Sequence, residues 1–403
     1  MNPAERRAIF SLAGLYSIRM LGLFMVLPLL SLYVGEFEDS TPLLIGLALG
    51  AYGLTQAILQ IPFGMLSDRI GRKPVIIAGL LLFCIGSVVA ANAESVTVII
   101  MGRALQGSGA IASTVMALAA DATRDHQRTK AMALIGVSIG FSFCLALVLG
   151  PVVAGLAGLS GVFILTAGLG LVGIALVVFV VPSSIELDPL QREAGAIPAL
   201  LVDSLCDAQL LRLNLGVFVL HFVLMASFLV VPQMLEAGLQ IDRSEHWQVY
   251  LTTLLLSVVG MVPLMLAAEK FNHLKGSFIF AVLLVGLSQA FLWFGISQHW
   301  LAYGALLIFF VGFNYLEATL PSLISRAASA GGKGTAMGVY SSCQFLGAFA
   351  GGAMSGLVME IAGISSVFAM CVAVSTVWLY LSFTMSHPKV VDRALMQTVE
   401  GPS

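Results

Sequence analysis

The chain has 403 residues, of which 59% are hydrophobic and only 10% charged. A water-facing globule carries about 25% charged residues, so this chain cannot coat a soluble surface of its size and belongs in a bilayer. Its 19 Lys and Arg against 21 Asp and Glu give a net charge of −2, leaving no basic surplus for nucleic acid and no polybasic lipid-binding tract.

A helix needs about 20 mostly apolar residues to cross the hydrocarbon core, where an open backbone would go unsatisfied. The first such stretch covers about 8–34 and contains one basic residue, Arg19. Arg6 and Arg7 before it imitate a signal peptide, but the apolar run far outlasts the roughly 7–15 residues of a cleaved segment. Residues 40–67 and 74–93 lack charge and predict the second and third spans, and a fourth, about 96–121, contains Arg103. The uncharged interval 131–185 is long enough for two spans with a turn near Gly155–Gly161. A polar stretch from Pro182 to Gln209 follows. Residues 213–235 and 246–268 then predict the seventh and eighth spans, 276–316 divides around Gln298-His299-Trp300 into two, and 334–359 and 361–388 complete twelve.

Twelve spans place both termini and the even-numbered turns on one side, which collects sixteen of the 19 basic residues. Arg19 and Arg103 are intramembrane and Arg243 alone falls on the other side, with Glu36, Glu38, Asp39 and Glu94. This asymmetry predicts cytoplasmic termini. The five cysteines, Cys84, Cys144, Cys206, Cys343 and Cys371, are scattered and odd in number, so neither a disulfide framework nor a structural metal is expected.

The polar stretch halfway along divides the chain into a six-helix bundle over 1–182, a cytoplasmic linker over 183–208, a second bundle over 209–386 and a tail over 387–403. Pro62, Asp68 and Arg69 recur as Pro263, Glu269 and Lys270 at an offset of 201, and Ala131-Met132 recurs as Ala336-Met337 at 205. The repeat predicts an all-α membrane protein of two pseudo-symmetric halves, an architecture common among secondary transporters with the substrate site between the halves.

The turn after the second span reads Gly64-Met65-Leu66-Ser67-Asp68-Arg69-Ile70-Gly71-Arg72-Lys73, the fourth span carries Arg103-Ala104-Leu105-Gln106-Gly107-Ser108-Gly109-Ala110, and the fifth carries Gly150-Pro151 with Gly155. These three motifs, each in its proper helix, resemble the G-x-L-x-D-R-x-G-R-K, R-x-x-Q-G-x-G-A and G-P-x-x-G signatures of the major facilitator superfamily and of its drug/proton antiporter branch. The third departs from the usual pattern, since Leu156 replaces a second glycine. About 17 residues follow Ser386, too few for the small soluble domain that a relative carries there. The resemblance implies an inner-membrane carrier, expected as a monomer, that moves a small molecule in exchange for protons through alternating access.

Each site residue has a plain reading beside the functional one. Gly64, Asp68, Arg69, Gly71, Arg72 and Lys73 could serve topology alone; the resemblance implies a latch in which Asp68 caps the eleventh helix near Gly334 and Arg72 pairs with Asp121, formed when the carrier opens outward. Arg19, near midplane, must face protein or water, either bonding helix carbonyls or serving transport. Arg103 is either an interhelical hydrogen-bond hub or a cation acting on a nearby proton site. His221 and Glu317 lie in the seventh and tenth helices, which line the central cavity in this superfamily. Together they could exchange a proton, since imidazole changes charge between about pH 5 and 8; each could instead be satisfied by carbonyls or by Asn314. Gln56, Gln60, Asn214, Asn314, Tyr315, Tyr340 and Gln344 are candidates for the cavity lining or for helix–helix contacts. Met20, Met25, Phe141, Met225, Phe228 and Phe345 could add an adaptable apolar wall.

Gly107-Ser108-Gly109-Ala110-Ile111-Ala112 and Gly331-Gly332-Lys333-Gly334-Thr335 imitate nucleotide motifs without the strand those need, so no cofactor is expected and ATP is not the energy source. The function expected is proton-coupled efflux of a small amphipathic compound, with a proton symporter or uniporter importing a metabolite, or a transport-inactive sensor, as the alternatives. No metalloprotease motif or pair of intramembrane aspartates suggests an enzyme.

Overall fold

A computed structural model describes residues 3–181, 204–271, 273–295, 298–328 and 332–385. Its long helices are α1 (Pro3–Tyr33), α2 (Pro42–Ile70), α3 (Arg72–Ala91), α4 (Val96–Ser108), α5 (Ala112–Asp121), α6 (Asp125–Phe179), α7 (Ala208–Gln233), α8 (His246–Glu269), α9 (Leu274–Phe294), α10 (His299–Ala327), α11 (Lys333–Ala362) and α12 (Ile364–Phe383). No strand occurs among the described residues. The expected linker lies largely outside the described residues, and the tail wholly so.

These helices make twelve crossings, although the fourth, fifth and sixth are not one helix each. The fourth, expected to be continuous, breaks between α4 and α5. Gly107 and Gly109 let this segment touch the backbones of α2 and α3, where any Cβ would overlap the carbonyls of Tyr52 and Gly79. Close approach on both sides fixes a path that an unbroken helix cannot follow. The 55 residues of α6 would reach about 80 Å if straight, far more than a bilayer. They fold back at Gly158, whose φ of 65° lies in the left-handed region that suits glycine. The reversal is visible along α1: Ser17 meets Ser138 and Ser142, and Gly150 lies against the Met25 carbonyl, whereas Gly22 faces Thr166 and Gly14 faces Leu176. Register rises on one arm of α6 and falls on the other, so its two arms are antiparallel crossings.

The two ends of the molecule differ. At the end bearing the α1–α2, α3–α4, α7–α8 and α11–α12 turns, here called the acidic end, α2 and α11 interlock. Gly46 faces the backbone of Gly352, Gly50 and Gly53 face the carbonyls of Phe349 and Phe345, and Gly356 faces that of Pro42. Small residues let two backbones touch where lipid offers no hydrophobic drive for association. The contact runs on to Ser342, whose hydroxyl donates to the Ala57 carbonyl at 3.3 Å. Beyond that point the helices diverge toward the opposite, basic end: a Cβ on Gly338 or Gly334 would meet nothing within 4 Å. Gly136 and Gly140 in α6 are equally unopposed, so that glycine pair does not join helices in this conformation. The structure is closed at the acidic end and open at the basic end.

Candidate functional site at the junction of the halves

Three helices of the second half meet around one amide. Gln344 of α11 donates from Nε2 to His221 Nε2 of α7 at 2.8 Å and to Glu317 Oε1 of α10 at 3.3 Å. The imidazole Nδ1 lies 3.1 Å from the Val217 carbonyl. A carbonyl can only accept, so Nδ1 carries the hydrogen and Nε2 accepts from the amide; the ring is neutral. Glu317 Oε2 lies 3.7 Å from His221 Nε2 and accepts no hydrogen bond among the described residues. The Glu317 side chain is 39% exposed while His221 is 12% exposed, but the Glu317 Oε2 atom itself is buried beside the imidazole. His221 and Glu317 thus come together as the sequence suggested. Asn314 does not join them: its amide donates to Ser257 of α8 at 2.8 Å.

Across the junction, Arg19 is 2% exposed. Its Nη2 donates to Tyr52 Oη at 2.8 Å, Gln56 Oε1 at 2.9 Å and the Gly109 carbonyl at 3.1 Å, and Gln56 donates onward to Gln60 at 2.8 Å. A cation near midplane is thereby held by the break between α4 and α5. Arg103, fully buried, lies over the Tyr52 ring at 5.2 Å and donates to Gln106, which donates to Ser87 of α3. It touches no carboxylate among the described residues, so in this conformation its contacts are those of an interhelical hub. Of the expected cavity-lining residues, Gln56, Gln60, Asn214, Tyr315 and Tyr340 are each no more than 4% exposed and sit within helix contacts. Asn314 and Gln344 are partly exposed.

A seal lies on the acidic side of this site. Phe143 of the first half meets Phe228 and Phe310 of the second edge-on, with ring centroids 6.4 Å apart, and Phe24 packs edge-on against Phe143 at 5.0 Å. Sequence reasoning singled out Phe228 and Phe141; Phe141 is 66% exposed, and its neighbour Phe143 makes the contact instead. The two positions differ by about 200° around the helix, and the hydrophobic pattern of an all-apolar span does not encode which of them faces the other half.

At the basic end, Arg72 forms an ion pair with Asp68 and contacts Asp121 at 3.2 Å and Ser67 at 2.7 Å. Gly71 makes the turn at φ 100°, and Lys73 donates to the Val181 carbonyl. Arg69 is exposed. The expected contact of Asp68 with α11 is not made here, because the basic ends of α2 and α11 are apart; α11 begins without a side-chain cap.

The acidic end holds residues that sequence reasoning missed. Arg243, in the α7–α8 turn, bonds Glu36 of the first half at 2.5 Å and Glu236 of its own half at 2.6 Å, beneath the Tyr33 ring. Glu360 at the end of α11 accepts from the Leu43 N–H of α2 at 3.1 Å. A cavity of about 180 Å³ lies behind Arg243, bordered by Tyr33, His246 and by Pro151 and Gly155 of the third motif. A Cβ on Gly150 of that motif would lie 2.7 Å from the Met25 carbonyl oxygen, while Leu156, the departure from the usual pattern, is 84% exposed and displaces nothing. The isolation of Arg243 among acidic turns was the available signal.

Comparison with known proteins agrees with this architecture. The model of the Major Facilitator Superfamily matches residues 12–351 and 213–397. The inner membrane transport protein YajR of Escherichia coli K12 is 47% identical over 97% of this chain and 86% of its own length. Multidrug resistance protein D of the same organism is 38% identical over 27% of each chain. The crystal structure of the nucleoside transporter NupG superposes with a TM-score of 0.73 over 94% of this chain and 99% of that one, at 12% identity.

Proposed function

The chain belongs to the major facilitator superfamily and is a membrane transporter, not an enzyme, and from this premise we propose that it exports a small amphipathic compound in exchange for protons across a bacterial inner membrane, with its basic end and termini in the cytoplasm. The observation that carries the coupling is the Gln344 amide held between His221 and Glu317. A proton arriving at Nε2 makes the imidazole a donor at both nitrogens, and an amide nitrogen cannot accept it. The Gln344 bond then breaks, and the imidazolium turns to Glu317 Oε2, the free oxygen 3.7 Å away. Protonation of Glu317 instead weakens its hold on the same amide. In either case the change is felt by α11, which is also the helix that interlocks with α2. Proton occupancy therefore biases the contact by which the halves close the acidic end, and substrate at the opening competes for the same carboxylate.

The part-sequence likeness to a multidrug resistance protein supports efflux, and the sixteen basic residues collected at one end support the orientation. The test is proton movement in proteoliposomes containing the purified protein, driven by candidate amphipathic compounds. Wild type should release lumenal protons on substrate addition and Glu317→Gln should not, although it still binds substrate. A Glu317→Gln protein with an intact proton-driven cycle would remove this carboxylate as the proton carrier.

A further inference from the structure

The Arg243 and Glu360 contacts lie outside everything used above, and each crosses between the halves. The first turn of α2 has three positions that lack an intrahelical acceptor, of which two carry an N–H to satisfy. Pro42 has no N–H, Leu44 donates to the Thr41 hydroxyl at 3.3 Å, and Leu43 donates to Glu360. A carboxylate from the second half thus completes the N-terminus of a first-half helix, where the helix dipole favours negative charge. The expected Asp68 contact has the same form with the halves exchanged: a carboxylate near the end of α2 aimed at the start of α11. Both helices belong to one antiparallel pair, so each would offer a carboxylate at its C-terminal end to the other's N-terminus, one at each face of the membrane.

We propose that Glu360 and Arg243 form the lock that holds the acidic face shut, the counterpart of the latch containing Asp68, so that alternation exchanges one carboxylate-to-helix contact for the other. Arg243 adds a second tie. It is the one basic residue of the chain on that face outside the spans, and it holds Glu36 of the first half together with Glu236 of the second. Without it the two carboxylates face each other with no cation between them. When the acidic end opens, the Leu43 N–H and Arg243 are surrendered to water, so each contact is worth only the modest amount typical of exposed charge pairs. This suits a transporter, because a stronger tie would arrest the cycle. The inference rests on the alternating-access reading proposed above.

The test uses full-length protein in lipid nanodiscs with spin labels at Asn92 and Gln298, exposed acidic-end positions on opposite halves. Pulsed dipolar spectroscopy then reads the ratio of closed to open acidic ends. Glu360→Gln should shift that ratio toward open by about two- to fivefold and Arg243→Gln by roughly fivefold, while Glu245→Gln, on the same turn, should leave it unchanged. Raising salt should shift wild type in the same direction and the Arg243→Gln variant less. If the distances alternate in wild type and neither variant changes the ratio more than Glu245→Gln does, the lock is refuted and alternation stands. If wild type, Asp68→Asn and both lock variants show a single distance under all conditions, alternating access itself fails, and the lock with it.

Discussion

Replacing Gly50 with alanine tests whether contact between α2 and α11 sets which end of the molecule is open. A Cβ at Gly50 would lie 2.8 Å from the Phe349 carbonyl oxygen and 3.0 Å from its Cα. Both are backbone atoms and cannot swing aside. Relaxing the shorter contact to an ordinary 3.4 Å requires the helices to part by about 0.6 Å, which also loosens the neighbouring approaches at Gly46 and Gly53. Overpacking of this kind costs about 1–3 kcal/mol, and only while the acidic end is closed, because the helices separate when it opens. The closed-to-open ratio should therefore fall by roughly 5- to 150-fold, 1.4 kcal/mol corresponding to a factor of ten. Hydrogen exchange followed by mass spectrometry on peptides covering 42–57 and 342–356 would report the change as faster exchange in both segments. Gly338→Ala is the control, since its Cβ meets nothing within 4 Å in this conformation. Unchanged protection in Gly50→Ala, or equal loss in Gly338→Ala, would refute the claim that the glycine contact holds the acidic end shut.

Asp68→Asn should lower the transport rate while leaving the amount of protein in the membrane unchanged; membrane quantification beside uptake or efflux assays checks both. Arg19→Lys should lose most of the Nη2 contacts with Tyr52, Gln56 and Gly109, because an ammonium cannot reproduce the planar fork, and a drop in thermal stability in detergent of several degrees is expected. Gly158→Ala places a side chain at φ 65° and should destabilise the protein by about 1–2 kcal/mol, read as a lowered unfolding midpoint, with little effect on substrate affinity. Glu317→Gln should flatten the dependence of the transport rate on external pH; a profile unchanged from wild type would exclude the carboxylate.

Membrane residence, the number of crossings and the helical class were legible in the sequence because each is imposed by solvent. Lipid cannot satisfy an open backbone, so apolar length maps onto crossings. Charge-free intervals located even the α6 reversal within a few residues, since Gly155–Gly161 brackets Gly158. His221, Glu317 and Gln344 were visible for the same reason: polar groups in apolar helices stand out and must find partners. What these constraints do not contain is rotation and depth. Whether Phe141 or Phe143 faces the other half, and whether Asn314 turns to Glu317 or to Ser257, depends on a helix phase that a uniformly apolar span leaves undetermined. The break after α4 was hidden because it arises from the approach of Gly107 and Gly109 to two other helices, not from any local stop signal. Arg243 and Glu360 were hidden because their partners, Glu36 and the Leu43 N–H, lie 207 and 317 residues away along the chain. The bilayer dictates what each segment must be; only the meeting of the halves decides which end is shut and which side chains hold it so.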